Sequence, residues 1–483
     1  MRDTAPVNHE WGEHLTTATF AAFAGYLLIL FAIGFVAWRR TVGISDYVLG
    51  GRTLGPGVTA LSAGASDMSG WLLLGLPGAI YLSGLTEAWI VVGLLLGAWA
   101  NWHLVAGPLR RASAAADDAL TLPELLSRIL REGSDSRTLR LLRSTATLLI
   151  LFFFTFYVAA GLVAGARLFE TSLGLDYLSA LLTGTVIIVA YTMAGGFLAV
   201  SWTDFFQGSL MLLALVAVPL LLLAGAAGPV MPPEGHLDPI AGLTPLALLS
   251  LLAWGLGYFG QPHILARFMA IRDPARMGQA RRIGMSWMLV TTMAAVAIGI
   301  GGSGVFTAAL DEPETVFINL TQLLFHPLIA GIVLAAILAA VMSTIDSQLL
   351  VASTALAEDV YKTWVRPSAA SMEVVRVGRL AVVAVAGVAL GLALNPESRV
   401  LTLVSHAWAG LGASFGPVLL LALHWPRLTA AGALAGMITG GVTVIVWSEL
   451  EGGLFDLYEL LPAFVLATAV AAGVSFSRGG EAT

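Results

Sequence analysis

The 483-residue chain contains no cysteine, and Lys362 is the one lysine among its 24 basic residues. Disulfides, thiol catalysis and thiolate metal sites are thereby excluded. Charged residues make up only 11% of the sequence, against the quarter or so usual in soluble domains, which excludes an ordinary soluble protein. No Walker-type glycine loop and no HExxH zinc helix is present. Gly255 to Gly260 reproduce the GxGxxG spacing, but no strand–helix unit can surround them inside an apolar span. No connection between apolar segments is long enough for a soluble domain of about 50 residues, so any chemistry has to lie among the helices.

What the chain has instead is apolar length, at 58% hydrophobic residues. Segments of about 20 apolar residues cross the hydrocarbon as helices. Thirteen are expected, over about 17 to 38, 56 to 82, 86 to 107, 143 to 167, 176 to 194, 204 to 227, 245 to 266, 283 to 308, 327 to 351, 377 to 394, 400 to 424, 429 to 448 and 458 to 476. All but three of the 24 Lys and Arg, the exceptions being Arg2, Arg167 and Arg399, fall in alternate connections. The other connections carry acids such as Asp311, Glu312 and Glu314. By the retention of basic residues in the cytoplasm, the N-terminus is expected outside and the C-terminus inside. The first apolar segment is expected to be a retained helix, because Asp3, Glu10 and Glu13 precede it in place of a basic n-region. The formal net charge of −6 says little about partners, since the charges are segregated by side.

Polar residues at the centres of these segments are costly and mark candidate sites. In "ASDMSGW", residues 65 to 71, Ser66, Asp67 and Ser69 stand beside Gly70 near the middle of the second segment. Two readings are open. The serines bond back to their own helix while Asp67 pairs with another, or the helix unwinds between Gly64 and Gly70 and frees its backbone to hold an ion or solute. In the ninth segment Ala340, Ser343 and Thr344 stand at i, i+3 and i+4 and share a face. Three uncharged oxygens there suit a weakly held alkali cation, and helix packing accounts for the same pattern equally well. In the seventh segment Trp254, Tyr258 and Pro262 are spaced as a stripe at i, i+4 and i+8, in glycine-rich surroundings. Tyr157 sits near the centre of the fourth. Buried Trp and Tyr tips need polar partners, which a small solute with one polar end can supply. The second and seventh segments are five apart, so they cross in opposite directions and each can open a five-helix inverted repeat.

Four stretches, "DYVLGGRTLGPGVTALSAGASDMSGWLLLGLPGA", "GGFLAVSWTD" with Gln207, "WGLGYFGQPHILARFMA" and "LAAVMSTIDSQLL", strongly resemble the sodium/solute symporter family. The similarity runs from about Asp46 to Pro462, and the third stretch is closest to the family's proline-carrying branch. The resemblance implies an all-α, polytopic membrane protein with 13 transmembrane helices and the leucine-transporter-type 5+5 inverted repeat. One extra helix stands before the repeats and two after. The units expected are residues 1–55 with the first helix, repeats 56–227 and 228–424, and 425–483 with the last two helices and a short tail.

The implied function is sodium-coupled import of L-proline by alternating access, with no enzyme activity, in the bacterial cytoplasmic (inner) membrane. By that resemblance backbone oxygens of Ala65, Met68 and Ala340 and the hydroxyls of Ser343 and Thr344 hold the sodium ion. Ser69, Gly70, Trp71, Tyr157, Trp254, Tyr258 and Pro262 surround proline. Asp67 is implied as a required acid near the ion, Arg52 and Asp204 as gating or coupling residues. Asp346 and Ser347 stand where proline carriers tend to have Ser and Cys, which places an extra acid by the ion path. Proline, sodium and lipid are the expected partners, with no nucleic acid and no obligate protein partner. The alternatives are a sodium symporter for pantothenate, a sugar or a monocarboxylate, and a transporter-like membrane sensor.

Overall fold

The computed structural model describes residues 9–40, 43–194, 196–306, 308–395 and 399–479. Arg2 and Asp3 at one end and the residues after 479 at the other lie outside them. The described chain is helical almost throughout, with an isolated parallel β-bridge between Leu54 and Ile271. The helices are α1 (His9–Trp38), α2 (Pro56–Asp67), α3 (Leu76–Ser83), α4 (Trp89–Leu104), α5 (Ala106–Ala115), α6 (Leu122–Ile129), α7 (Ser136–Leu173), α8 (Tyr177–Ala194) and α9 (Phe197–Leu223). They continue as α10 (Pro245–Ala253), α11 (Pro262–Ala270), α12 (Met277–Val305), α13 (Val316–Leu324), α14 (Pro327–Thr354), α15 (Ser371–Ala393), α16 (Val400–His424), α17 (Ala430–Trp447) and α18 (Leu460–Gly479).

Most helix ends fall within a few residues of the expected apolar limits, and the departures follow from capping. α7 begins seven residues before its apolar run because Asp135 accepts from the backbone N–H groups of Arg137 and Thr138, both at 2.9 Å. It ends at Gly174, which adopts φ +68°. Among the described residues ten helices are long and apolar enough to cross a membrane, and the apolar stretches Tyr177–Met193 and Pro245–Gly260 are shorter. Length and composition therefore vouch for ten crossings, not the thirteen expected. The short stretches are held in the bundle by their neighbours.

α14 is the axis of the bundle, buried along almost its whole length. It packs against α1, α7, α9 and α15, and α2 also reaches it. Small residues allow the closest approaches. A Cβ on Gly97 of α4 would stand 2.0 Å from the Gly255 carbonyl oxygen, so the 3-10 stretch Trp254–Gly260 lies backbone to backbone on α4. Gly257 on the same stretch leaves room for the Trp408 ring, which donates its indole N–H to the Trp254 carbonyl at 2.8 Å.

Candidate functional site

α2 stops at Asp67, where Met68 turns out of the helix at φ −80° and ψ 69°. The Ser69 N–H donates to the Asp67 carbonyl at 2.9 Å instead of reaching the carbonyl of Ala65, its partner in a continuing helix. The interruption is thus narrower than the expected Gly64 to Gly70, because Met68 N–H still closes a helical turn onto Gly64 at 2.8 Å. Ser69 accepts from the Trp71 N–H at 3.3 Å, where the next helical stretch, Trp71–Gly75, begins.

The open Ala65 carbonyl faces α14. Ser343 donates to it at 2.8 Å and Thr344 lies at 3.4 Å, while Ser343 also lies 3.0 Å from the Ala340 carbonyl. All four residues are buried. Two hydroxyls and two carbonyls therefore converge from two helices, an uncharged oxygen set of the kind hard, weakly held cations take. Met68 is fully buried at the turn beside them. Among the described residues no three His, Asp or Glu gather as a tightly bound metal would require.

The other side chains of the interruption gather on Asp67. Tyr258 donates to its carboxylate at 2.5 Å, and its carbonyl receives the Tyr157 hydroxyl at 3.4 Å and the Trp71 indole N–H at 3.3 Å. Gly70 lies so close to α7 that an added Cβ would stand 2.6 Å from the Ala164 methyl. The expected stripe of Trp254, Tyr258 and Pro262 does not form. Its spacing presumes 3.6 residues per turn, and Trp254–Gly260 has three, which rotates residues four apart onto different faces. Trp254 stacks on Tyr458 with ring centroids 5.2 Å apart, whereas Tyr258 meets Trp408 edge-on at 5.0 Å. Pro262 opens α11 and borders a separate apolar cavity with Val48, Ile150 and Leu350.

Arg267 was expected in a connection and is instead fully buried in α11. Its guanidinium meets Asp204 at 3.0 Å and Ser62 at 3.0 Å, and it bonds Ser347. Ser62 in turn donates to Asp204 at 2.6 Å, which ties α2, α9, α11 and α14 through one ion pair. Breaking such a buried pair costs about 3–5 kcal/mol, because the remaining charge is stranded. The Asp346 side chain bonds Thr192 of α8, which leads it away from the Ala65–Ser343 oxygens. Arg52, at φ +54°, donates to the Ser113 hydroxyl at 2.8 Å and lies within 3.5 Å of the carbonyls of Ser113, Ala119 and Met269. Trp408, Tyr458, Arg267 and Ser62 carry no motif that sequence spacing could single out.

The two ends of the bundle differ. Around Arg167, Asp311, Glu312, Glu314 and Arg399 lies a cavity of about 370 Å³. The end holding Arg52 is tied by further arginines: Arg110 donates to the Ile271 carbonyl at 2.9 Å, and Arg143 pairs with the fully buried Asp359 at 2.5 Å.

Apolar helices interrupted where oxygens gather make a membrane transporter. The chain belongs to the sodium:solute symporter family, whose pattern matches residues 47–440. It is 51% identical to the sodium/proline symporter of Salmonella typhimurium, with 94% of this chain and 92% of that one covered. It is 53% identical to the high-affinity proline transporter PutP of Bacillus subtilis, with 89% and 92% covered. In structure it is similar to a Na+-coupled sialic acid symporter in a substrate-bound outward-open state, at a TM-score of 0.79 over 95% of this chain and 97% of that one, with 18% identity.

Proposed function

We infer that this protein is a sodium-coupled symporter that imports L-proline by alternating access, and that it is no enzyme. One observation carries the reading: a single interruption, Met68–Ser69, opens the Ala65 carbonyl toward Ser343 and Thr344 and gathers Trp71, Tyr157 and Tyr258 at Asp67. Ion and solute then share one stretch of backbone, and whatever orders it for one orders it for the other. Kinship with sodium/proline symporters supports the choice of both.

Sodium takes the oxygens of Ala65, Met68, Ala340, Ser343 and Thr344. Proline lies among Ser69, Gly70, Trp71, Tyr157 and Tyr258, its carboxylate toward the N–H groups where the helix restarts. Trp254 and Pro262 bound the site at one remove, Trp254 through the Trp408 and Tyr458 rings. Asp67 joins the two halves, and the Asp204–Arg267 pair holds α2 against α14 as the bundle rocks. Arg52 latches the end that closes, and Asp346 tunes the ion path from its side.

The acid-rich wide end faces outside and the arginine-tied end the cytosol, which supports an outward-facing state with the N-terminus outside. Thirteen spans are assigned if the paired short stretches and α8 cross with their neighbours' help, with repeats over 56–227 and 228–424. The membrane potential adds about 2.3 kcal/mol per charge per 100 mV to drive the inward step.

The experiment is uptake of radiolabelled proline by purified protein in liposomes under an inward sodium gradient. Accumulation that needs sodium and that pantothenate, sugars and monocarboxylates do not compete away is expected. Equal uptake with potassium in place of sodium, or no uptake, sinks the reading.

A further inference from the structure

The last helix reaches back to the wall of the site. Trp254 opens the tightened stretch, and the ring stacked on it belongs to Tyr458, two residues before α18, with centroids 5.2 Å apart and planes 21° from parallel. Further along, Phe464 of α18 meets Phe259 of the same stretch at 6.3 Å. A helix of three residues per turn has poorer hydrogen-bond geometry than an α-helix and leans on its neighbours. α4 and α16 supply two of those neighbours, and α18 supplies a third.

Tyr458 is tied at both of its ends. Its backbone N–H donates to the Ser250 hydroxyl at 3.0 Å; that hydroxyl has given its own proton to the Leu246 carbonyl at 2.9 Å and is left to accept. Ser250 lies on α10, four residues before Trp254. At the other end the phenol donates to the Ser405 carbonyl on α16 at 2.7 Å. The preceding carbonyl, that of Leu457, receives the Trp447 indole N–H from the end of α17 at 2.9 Å. One ring is thus pinned to α10 and α16, its backbone is held by α17, and its face lies on Trp254. Without those pins the stack is free to slide, and Trp254 loses the surface that fixes it.

We propose that Tyr458 is a positioning residue for the solute site. It acts through Trp254 rather than on proline itself, and it gives the helices after residue 424 a share in proline affinity. The proposal rests on the reading of the protein as a sodium-coupled proline carrier with Trp254 bordering its solute site.

Equilibrium binding of radiolabelled proline to purified protein at saturating sodium tests it, in Tyr458→Leu, Trp254→Ala and the double variant. Each single change should weaken proline affinity by about twofold to tenfold, the range of an aromatic pair. The sodium concentration for half-maximal binding at saturating proline should stay where it is. The double variant should match Trp254→Ala to within about twofold, because a ring that is absent cannot be positioned. Tyr458→Phe keeps the stack and gives up the Ser405 bond, so it should fall between the wild type and Tyr458→Leu. A purely structural role would lower yield and melting temperature with proline affinity unmoved. Wild-type affinity in folded Tyr458→Leu overturns the proposal, as does a double variant in which the two losses multiply. If Tyr458→Leu does not fold, Tyr458→Phe decides by the same cycle: a loss that disappears in the Trp254→Ala background supports the proposal, and no loss, or an undiminished one, overturns it. Unchanged affinity in Trp254→Ala removes Trp254 from the site and this proposal with it, whereas a wild type that binds no proline sinks the reading of the carrier itself.

Discussion

The helices that face each other at the site are interrupted in opposite ways. α2 breaks its hydrogen-bond ladder at Met68 and Ser69, so a carbonyl is released and two hydroxyls of α14 come to it. The stretch Trp254–Gly260 keeps an internal ladder but tightens to three residues per turn. No ligand is released there; the change of phase re-aims Trp254 and Tyr258 to different neighbours. An opened ladder frees oxygens, and a tightened one makes a wall. The second kind needs close packing on both sides to hold its less favourable geometry.

The harshest way to break that comparison is to push the tightened stretch off α4. Gly97→Ala would place a methyl 2.0 Å from the Gly255 oxygen. Overpacking of this kind costs roughly 1–3 kcal/mol or more. Yield and melting temperature of the purified protein should both fall, whereas Gly278→Ala, which meets nothing within 4 Å, should leave them unchanged. Normal melting of Gly97→Ala would show that the wall does not depend on that contact.

Next in size is the loss of a proposed ion ligand opposite the opened ladder. Removing one interaction with a charge costs about 1.5–3 kcal/mol. Thr344→Ala should therefore raise the sodium concentration for half-maximal proline uptake by about tenfold to a hundredfold. Thr344→Ser keeps the hydroxyl and should be much milder. High sodium should restore proline affinity in the alanine variant, because coupling in binding free energy is reciprocal. If Ser proves as damaging as Ala, the hydroxyl is not the ligand.

The smallest effect sharpens the contrast. Trp254→Ala removes the ring stacked on Tyr458, an aromatic pair worth about 0.5–1.5 kcal/mol beyond its burial. Proline affinity should weaken by about twofold to tenfold with the sodium dependence unmoved. A shift in sodium dependence equal to the shift in proline affinity would put Trp254 with the ion site instead.

Sequence spacing served the continuous helix α14 better than the tightened stretch. Ala340, Ser343 and Thr344 lie on regular α-helix, so i, i+3 and i+4 translate directly into one face, and that face meets Ala65. The Trp254–Tyr258–Pro262 stripe assumed the same period where glycines permit a tighter one, and the assumption failed with the geometry. Arg267 misled for another reason. Counting basic residues by segment treats every arginine as a loop charge, but an arginine matched by Asp204 and two hydroxyls can be buried whole. Trp408 and Tyr458 belong to helices and turns remote in sequence, and only the folded chain brings them to the site.

Arg52 has a consequence for how this carrier can vary. Three of its four bonds end on backbone carbonyls, those of Ser113, Ala119 and Met269. A point mutation replaces side chains and leaves carbonyls in place, so no single change in α5, α11 or the Ala119 turn deletes those acceptors. Only the Ser113 hydroxyl and the Asp118 carboxylate, 3.5 Å from the guanidinium, are open to loss. The Arg52 cluster is thus robust to almost every codon it touches and exposed at two. A lineage that lost Arg52 could recover only by supplying a new donor, never by repairing an acceptor.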